Sequence, residues 1–289
     1  MADKPEVDEV TGTDTTGHEW DGIMELNTPL PKWWLYTFYA CIVWAIGYTI
    51  AYPAWPLVTG ATKGLLGYST RGAFAESMVA NQAAQSVYTD KIAALKLDEI
   101  AGDPELMQFA QSGGAAIFRN YCSQCHGAGA AGVQKSGYPN LLDDDWLWGG
   151  TREDIHTTIQ HGIRYESDED TRVSEMPAFG ADEILTPEEI EAVAEHVLSL
   201  SGAGPENTDG ATIFAENCAA CHGDNGQGDH SLGAPNLSDQ IWLYGGEKER
   251  VVETITYARA GVMPAWAGRL DEEQIKQVAL YVHSLGGGQ

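Results

Sequence analysis

The sequence predicts a mainly α-helical protein, one transmembrane helix followed by two copies of a helical module. Three observations carry that prediction. Trp33–Tyr52 runs 20 residues without a formal charge. The pentapeptide Cys-x-x-Cys-His occurs at 122–126 and again at 218–222, 96 residues later. Each copy then closes with apolar residues recurring at helical spacing.

At 289 residues the chain has room for about two ordinary domains beside other segments. A net charge of −26 excludes a nucleic-acid binder of the usual basic kind. It suits partners with lysine-rich faces, because complementary fields speed encounter.

The uncharged stretch, as a helix, spans about 30 Å, the thickness of a hydrocarbon core. Trp33, Trp34 and Tyr36 at one end and Tyr52 and Trp55 at the other are placed as an aromatic belt, and Pro53 and Pro56 end the helix. The residues before it carry eight Asp/Glu against Lys4, unlike the basic start of a signal peptide, so an uncleaved anchor is expected. The expected segments are an acidic tail (1–31), the anchor (32–56) and an Ala-rich helical connector (57–107). Two modules follow, at 108–203 and 204–289. Cys41, in mid-span, reads as a packing residue.

Four cysteines in two Cys-x-x-Cys-His units admit three chemistries. A tetrahedral zinc site wants four ligands, and each unit alone is one short. A thioredoxin-like pair has no need of the adjacent histidine. Haem attachment uses all three residues: the thiols become thioethers to the vinyl groups, and the histidine supplies an axial nitrogen. This assigns Cys122, Cys125 and His126 to one haem, and Cys218, Cys221 and His222 to another.

Only two methionines follow Cys122, one per repeat: Met176 in "SEMPAFG" and Met263 in "GVMPAWAG". Their matching positions mark them as the second axial ligands. His156 and His161 have no histidine counterparts in the second repeat, so surface or supporting roles are expected. The repeat extends to "YPNLLDDDWLWGG" and "APNLSDQIWLYGG", with Pro139 and Pro235 each 13 residues after their histidine. The methionine offset falls to 87 because the first copy carries nine extra residues around "RYESDEDTR", read as a solvated loop. Thr186-Pro187-Glu188-Glu189 reads as a capping box opening a helix with the stripe Ile190, Val193, Val197 and Leu200. Asp271 caps the second copy's helix, whose stripe is Ile275, Val278, Val282 and Leu285.

This order of motifs resembles the class I cytochrome c fold twice over, across residues 108–289. The resemblance implies two tandem modules around covalent haems, each with crossing N- and C-terminal helices. It also implies that the carbonyls of Pro139 and Pro235 accept hydrogen bonds from the axial histidines. The stretch "DGIMELNTPLPKWWLYTFYACIVWAIGYTIAYPAWP" resembles the amino-terminal anchor of the dihaem cytochrome c subunit (subunit III) of cbb3-type cytochrome c oxidases. "GYSTRG" and the helical connector fit the same family. The resemblance implies two covalently bound haem c groups, iron ligation by His126, Met176, His222 and Met263, and no catalytic centre in this chain. It implies electron relay from a donor cytochrome c to a catalytic haem–copper subunit, beside a monohaem cytochrome c subunit. The complex would reduce oxygen and pump protons.

A free-standing anchored dihaem carrier and a dihaem peroxidase are the alternatives; matched Met-Pro sites argue against the open iron a peroxidase needs. The charge rule does not orient the anchor: Lys4 and Lys32 lie on one side, Lys63 and Arg71 on the other. Covalent haem attachment occurs outside the bacterial cytoplasmic membrane. A single-pass inner-membrane protein with residues 57–289 in the periplasm is therefore expected.

Overall fold

The computed structural model describes residues 6–133 and 135–289; Lys4 lies outside them. The chain divides into one unit ending at Ala83 and a second unit, Ala84–Gln289.

The first unit opens with a β-hairpin the sequence reading did not anticipate. β1 (Thr15–Trp20) pairs antiparallel with β2 (Ile23–Leu26). Asp21 and Gly22 make the turn at φ 51° and 84°, the conformation for which Asp-Gly is a strong signal. α1 (Lys32–Ala51) follows, with no buried residue on any face. Its Thr37 and Thr49 hydroxyls donate to the carbonyls of Trp33 and Ile46 at 3.0 and 2.9 Å. Polar groups are thus satisfied within the helix, as hydrocarbon requires. The helix stops short of the expected residue 56. Tyr52 is already extended at φ −114° and ψ 162°, since the residue before a proline is disfavoured in the helical region. The short β3 (Pro56–Leu57) and β4 (Gly60–Ala61) form a second hairpin. Beyond it the amides of Leu65 and Leu66 return to the carbonyls of Ile50 and Ala51, both at 3.0 Å.

The connector is helical as expected, in two pieces: α2 (Thr70–Ala94) and α3 (Leu97–Gly102). α4 (Pro104–Ile117) begins four residues before the expected boundary at 108. Asp103 caps it, accepting from the amides of Glu105 and Leu106 at 3.0 and 3.2 Å, and Pro104 occupies the first turn. A π-turn, Phe118–Cys122, leads into α5 (Ser123–His126). α6 (Arg152–His161) and α7 (Pro187–Leu200) complete the first repeat. The second supplies α8 (Thr208–Asn217), α9 (Ala219–His222), α10 (Lys248–Tyr257) and α11 (Glu272–His283). The expected capping box forms between Thr186 and Glu189, and the expected cap Asp271 also makes one with Gln274.

The packing corrects the expectation of two self-contained modules. α11, from the second repeat, lies along α4 and α6 of the first, while α7 lies along α8 and α10. One core joins Ile117, Phe118, Ile155 and Ile159 to Trp266, Ile275, Val278 and Val282. The other joins Phe179, Ile190, Val193 and Val197 to Phe214, Val251 and Ile255. The physical reason is the linker. Only residues 201–207 separate α7 from α8, and a connection that short favours antiparallel neighbours. α7 is then committed to α8, and α4 is covered by α11. A third core places Leu280 of α11 among Ile92, Leu97, Ile100, Leu106 and Ala110. Beside it Lys276 Nζ donates to the carbonyls of Ile92, Ala93 and Leu95 at 3.3, 2.8 and 3.0 Å, closing the C-terminus of α2.

Both helix crossings rest on a glycine. A Cβ on Gly114 would lie 2.2 Å from the Gln277 carbonyl oxygen, and one on Gly210 would lie 2.1 Å from that of Ala192. Backbone cannot yield as a flexible side chain can. Gly114→Ala and Gly210→Ala should each cost about 1–3 kcal/mol, the usual penalty of overpacking. Gly102→Ala, whose methyl meets nothing within 4 Å, should change stability by less than about 0.5 kcal/mol. Thermal melting of the three variants checks this; equal melting would contradict the crossing contacts.

Candidate haem sites

The two Cys-x-x-Cys-His motifs are built alike. Each runs from a cysteine at the helix N-cap through the single turn of α5 or α9, ended by a glycine with φ 78° (Gly127) or 77° (Gly223). The chain then folds back. Gly132 and Gly228 donate to the carbonyls of His126 and His222 at 2.9 and 2.8 Å. Both have positive φ, and a Cβ there would lie 2.4 Å from the Tyr138 carbonyl oxygen or 2.6 Å from that of Ala234. This close approach delivers the two prolines. His126 Nδ1 lies 3.3 Å from the Pro139 carbonyl oxygen, and His222 Nδ1 lies 3.0 Å from that of Pro235.

A carbonyl only accepts, so Nδ1 carries the proton and Nε2 keeps its lone pair. Burial holds both imidazoles below their ordinary pKa, with the proline carbonyls opposing it. Burial also pushes the Cys122 and Cys218 thiols up to about 11, helped by Cys125 and Cys221. Each motif thus presents two cysteine sulfurs, one of them held as a neutral thiol, and an imidazole nitrogen free to bind a metal. That donor set fits a thioether-linked haem.

The methionines are where the sequence reading and the packing part. One methionine per repeat was expected, each beside its own motif. Met263 instead packs against the first core together with Cys122, and Met176 against the second together with Cys218. Backbone pairing fixes the exchange. Ile163 and Met263 bond in both directions at 2.9 and 3.0 Å, and Trp266 donates to the Ile159 carbonyl at 3.1 Å. Reciprocally, Ala181 donates to the Thr256 carbonyl at 3.0 Å. The first cysteine of each motif therefore packs against the same core as the methionine of the other repeat.

His156 and His161 stand apart from both motifs, as expected. His156 Nε2 lies 3.3 Å from Glu272 of α11. His161 Nδ1 lies 3.1 Å from Asp168, clasping the acidic insert to the end of α6. The sequence reading missed two aromatic–arginine stacks, Arg172 over Trp148 at 5.3 Å and Arg259 over Tyr244 at 4.8 Å. The signal was present, since both arginines stand four residues before their methionine.

Residues 12–59 match the family described as "N-terminal domain of cytochrome oxidase-cbb3, FixP". Residues 110–197 and 205–282 match "Cytochrome C oxidase, cbb3-type, subunit III". The chain belongs to this family. It is 55% identical to the "Cbb3-type cytochrome c oxidase subunit CcoP" of Cereibacter sphaeroides, over 100% of both chains. It is 52% identical to the subunit named FixP of Sinorhizobium medicae and 53% to that of Rhizobium meliloti, again over 100% of both. The family implies haem c, and the two matched segments each contain one motif.

A cluster of carboxylates drawn from both repeats has a measurable signature. Asp145 is pushed up to about 7, first by burial and then by Asp239, Asp143 and Asp144. A carboxyl raised above its unfolded value of 3.8 favours the fold while protonated. That contribution is full below 3.8 and is lost as pH rises towards about 7. Asp145→Asn should therefore raise the melting temperature near pH 8 and barely change it near pH 4. An equal effect at both would contradict the assignment.

Proposed function

We propose that the chain carries two covalently bound haems and relays electrons, one at a time, into a cbb3-type cytochrome c oxidase. The observation that carries this reading is the pairing of each Cys-x-x-Cys-His motif with a methionine in the same core. The first haem would be held by Cys122 and Cys125, with His126 and Met263 as axial ligands. The second would be held by Cys218 and Cys221, with His222 and Met176. Haem iron so ligated changes oxidation state by one electron, at a potential the thioether raises.

The chain's own residues do the rest. Pro139 and Pro235 fix the ring planes of the histidines and strengthen them as donors. As ligands, the methionines would leave no open position on either iron for oxygen or peroxide. Phe118, Trp266 and Phe179 are almost fully buried and keep water from the interior. This is a carrier; reduction of oxygen belongs to a catalytic haem–copper subunit. Family membership and the names of the relatives support assembly with other oxidase subunits; in this reading they are that catalytic subunit and a monohaem cytochrome c subunit. The acidic surface suits a lysine-faced donor cytochrome c.

α1 anchors the chain in the bacterial inner membrane. Haem attachment in the periplasm puts the haem-bearing unit on that side and the residues before α1 in the cytoplasm. Protease added to spheroplasts should digest the haem-bearing unit and spare a tag at residue 1; a digested tag with protected haems would reverse the topology. Purification in mild detergent should recover haem b and copper with the chain, and their absence would favour a free-standing carrier.

Ligation by the methionines is tested by Met176→Ala and Met263→Ala. Each should remove about half of the near-infrared sulfur–iron absorption and lower the potential of one haem. Full absorption in both variants would sink the assignment.

A further inference from the structure

The C-terminal end of α1 opens on a cavity of about 650 Å³ lined by Tyr48, Tyr52, Lys63, Tyr68, Ser69 and Thr70. Its walls are tied together by backbone. The Leu65 and Leu66 amides donate to the Ile50 and Ala51 carbonyls, both at 3.0 Å. Gly64 has φ 70°, and a Cβ there would lie 2.4 Å from the Ala51 carbonyl oxygen, so the loop rests directly on the helix end. The Thr62 hydroxyl accepts from the Ala54 and Trp55 amides at 3.4 and 3.1 Å. Tyr48 and Tyr52, one turn apart, stack at 4.6 Å, and Tyr68 stands edge-on to Tyr52 at 5.6 Å. On the far side the Ser69 hydroxyl caps α2, accepting from the Gly72 amide at 3.2 Å.

The charge of this region is opposite to that of the chain. Asp and Glu outnumber Lys and Arg by 42 to 16, yet none stands between Glu25 and Glu76, a stretch that holds Lys32, Lys63 and Arg71. Among the described residues Lys63 and Arg71 enter no ion pair. Their own segment therefore gives these cations no counter-charge. Apolar neighbours set the depth at which the cavity lies. Trp55, Leu57, Val58, Leu65 and Leu66 are all exposed, and the last two are bonded to the final turn of a membrane-spanning helix. Large apolar and aromatic side chains grouped there belong at the boundary of acyl chains and headgroups. The anion abundant at that depth is a lipid phosphate. A zwitterionic head would also bring an ammonium, for which the segment has no carboxylate.

We propose that this cavity holds the headgroup of an anionic phospholipid, with Lys63 as the counter-charge of its phosphate. Tyr48 and Tyr52 lie beside its glycerol and upper acyl carbons. This rests on the reading of α1 as the membrane anchor. Such a lipid fixes the depth at which the anchor gives way to the loop and to the start of α2.

The full-length protein with its haems is reconstituted in nanodiscs of phosphatidylcholine containing a minor fraction of phosphatidylglycerol. It is then released into mild detergent, and the lipid it retains is identified by native mass spectrometry. Phosphatidylglycerol should be retained in preference to phosphatidylcholine. Lys63→Gln should lower that retention about fivefold, the contribution of one basic residue at an anionic surface, and Lys63→Arg should restore it. Lys135→Gln, an equal change of charge at the surface pair with Glu247, should leave it unchanged. An unaltered haem spectrum checks that each variant folds. Added sodium chloride should weaken retention by the unsubstituted protein, since salt screens the contact; this test needs no variant. No preference between the two lipids, or a preference that neither salt nor Lys63→Gln moves, overturns the proposal. Displacement of the lipid by millimolar inorganic phosphate overturns it as well, because the cavity would then be a site for free phosphate. Extraction of the protein from membranes by alkaline carbonate without detergent would instead defeat the anchor reading, a separate and visible failure.

Discussion

The seven residues between α7 and α8 constrain everything downstream of the connector. They turn α7 back along α8, and with that contact made, the first repeat has lost its own closing helix. α4 and α6 would face water but for α11, which completes the exchange from the other end of the chain. Gly114 and Gly210 let the paired backbones approach until only a hydrogen fits between them. Surface ion pairs follow the same exchange: Lys248 meets Glu191 and Glu195 across the repeats, and Lys135 meets Glu247. Exposed pairs of this kind contribute little energy; the apolar cores decide the arrangement.

This exchange changes what a domain means here. Cutting between 203 and 204 would divide the sequence at its repeat boundary and both cores at once. The expectation that each repeat carries its own core is therefore corrected: each core needs both. Cooperative unfolding of the repeats is the consequence, since neither core buries its apolar residues alone. The connector from Ala84 on joins the same body, because Leu280 and Lys276 of α11 also secure Ile92 and the end of α2.

Much of this was legible in the sequence, for reasons that can be named. The haem motifs, the prolines 13 residues on and the capping boxes depend on local chemistry, and local chemistry is written in adjacent residues. The anchor was legible because 20 uncharged residues have few soluble uses. Partner choice was not legible. Ile190, Val193 and Val197 present the same kind of stripe as Ile275, Val278 and Val282, so either helix satisfies α4 or α8. The linker length and the contacts of Leu280 and Lys276 with the connector distinguish the pairings, and these are constraints between distant parts of the chain. The Asp-Gly turn at 21–22 was legible and overlooked, because an acidic segment reads first as a solvated one.

The exchange also bears on how two irons could be held for electron transfer. Electron transfer favours a site that changes little between oxidation states, and small change requires that both axial ligands be fixed. A methionine on a long loop of its own repeat would depend on that loop. Here Met263 is bonded through its backbone amide and carbonyl to Ile163, beside α6 of the opposite repeat, and Trp266 anchors the same segment in the core. Met176 is held by the reciprocal contact of Ala181 with Thr256. Each methionine segment is thus tied by backbone hydrogen bonds to the opposite repeat. In a symmetric pair this would make the two sites equivalent. The nine-residue insert and the Arg259 guanidinium, taken up by Thr254, Glu253 and the Arg250 carbonyl, remove that equivalence, so the two motifs sit in unlike surroundings although their backbones are built alike.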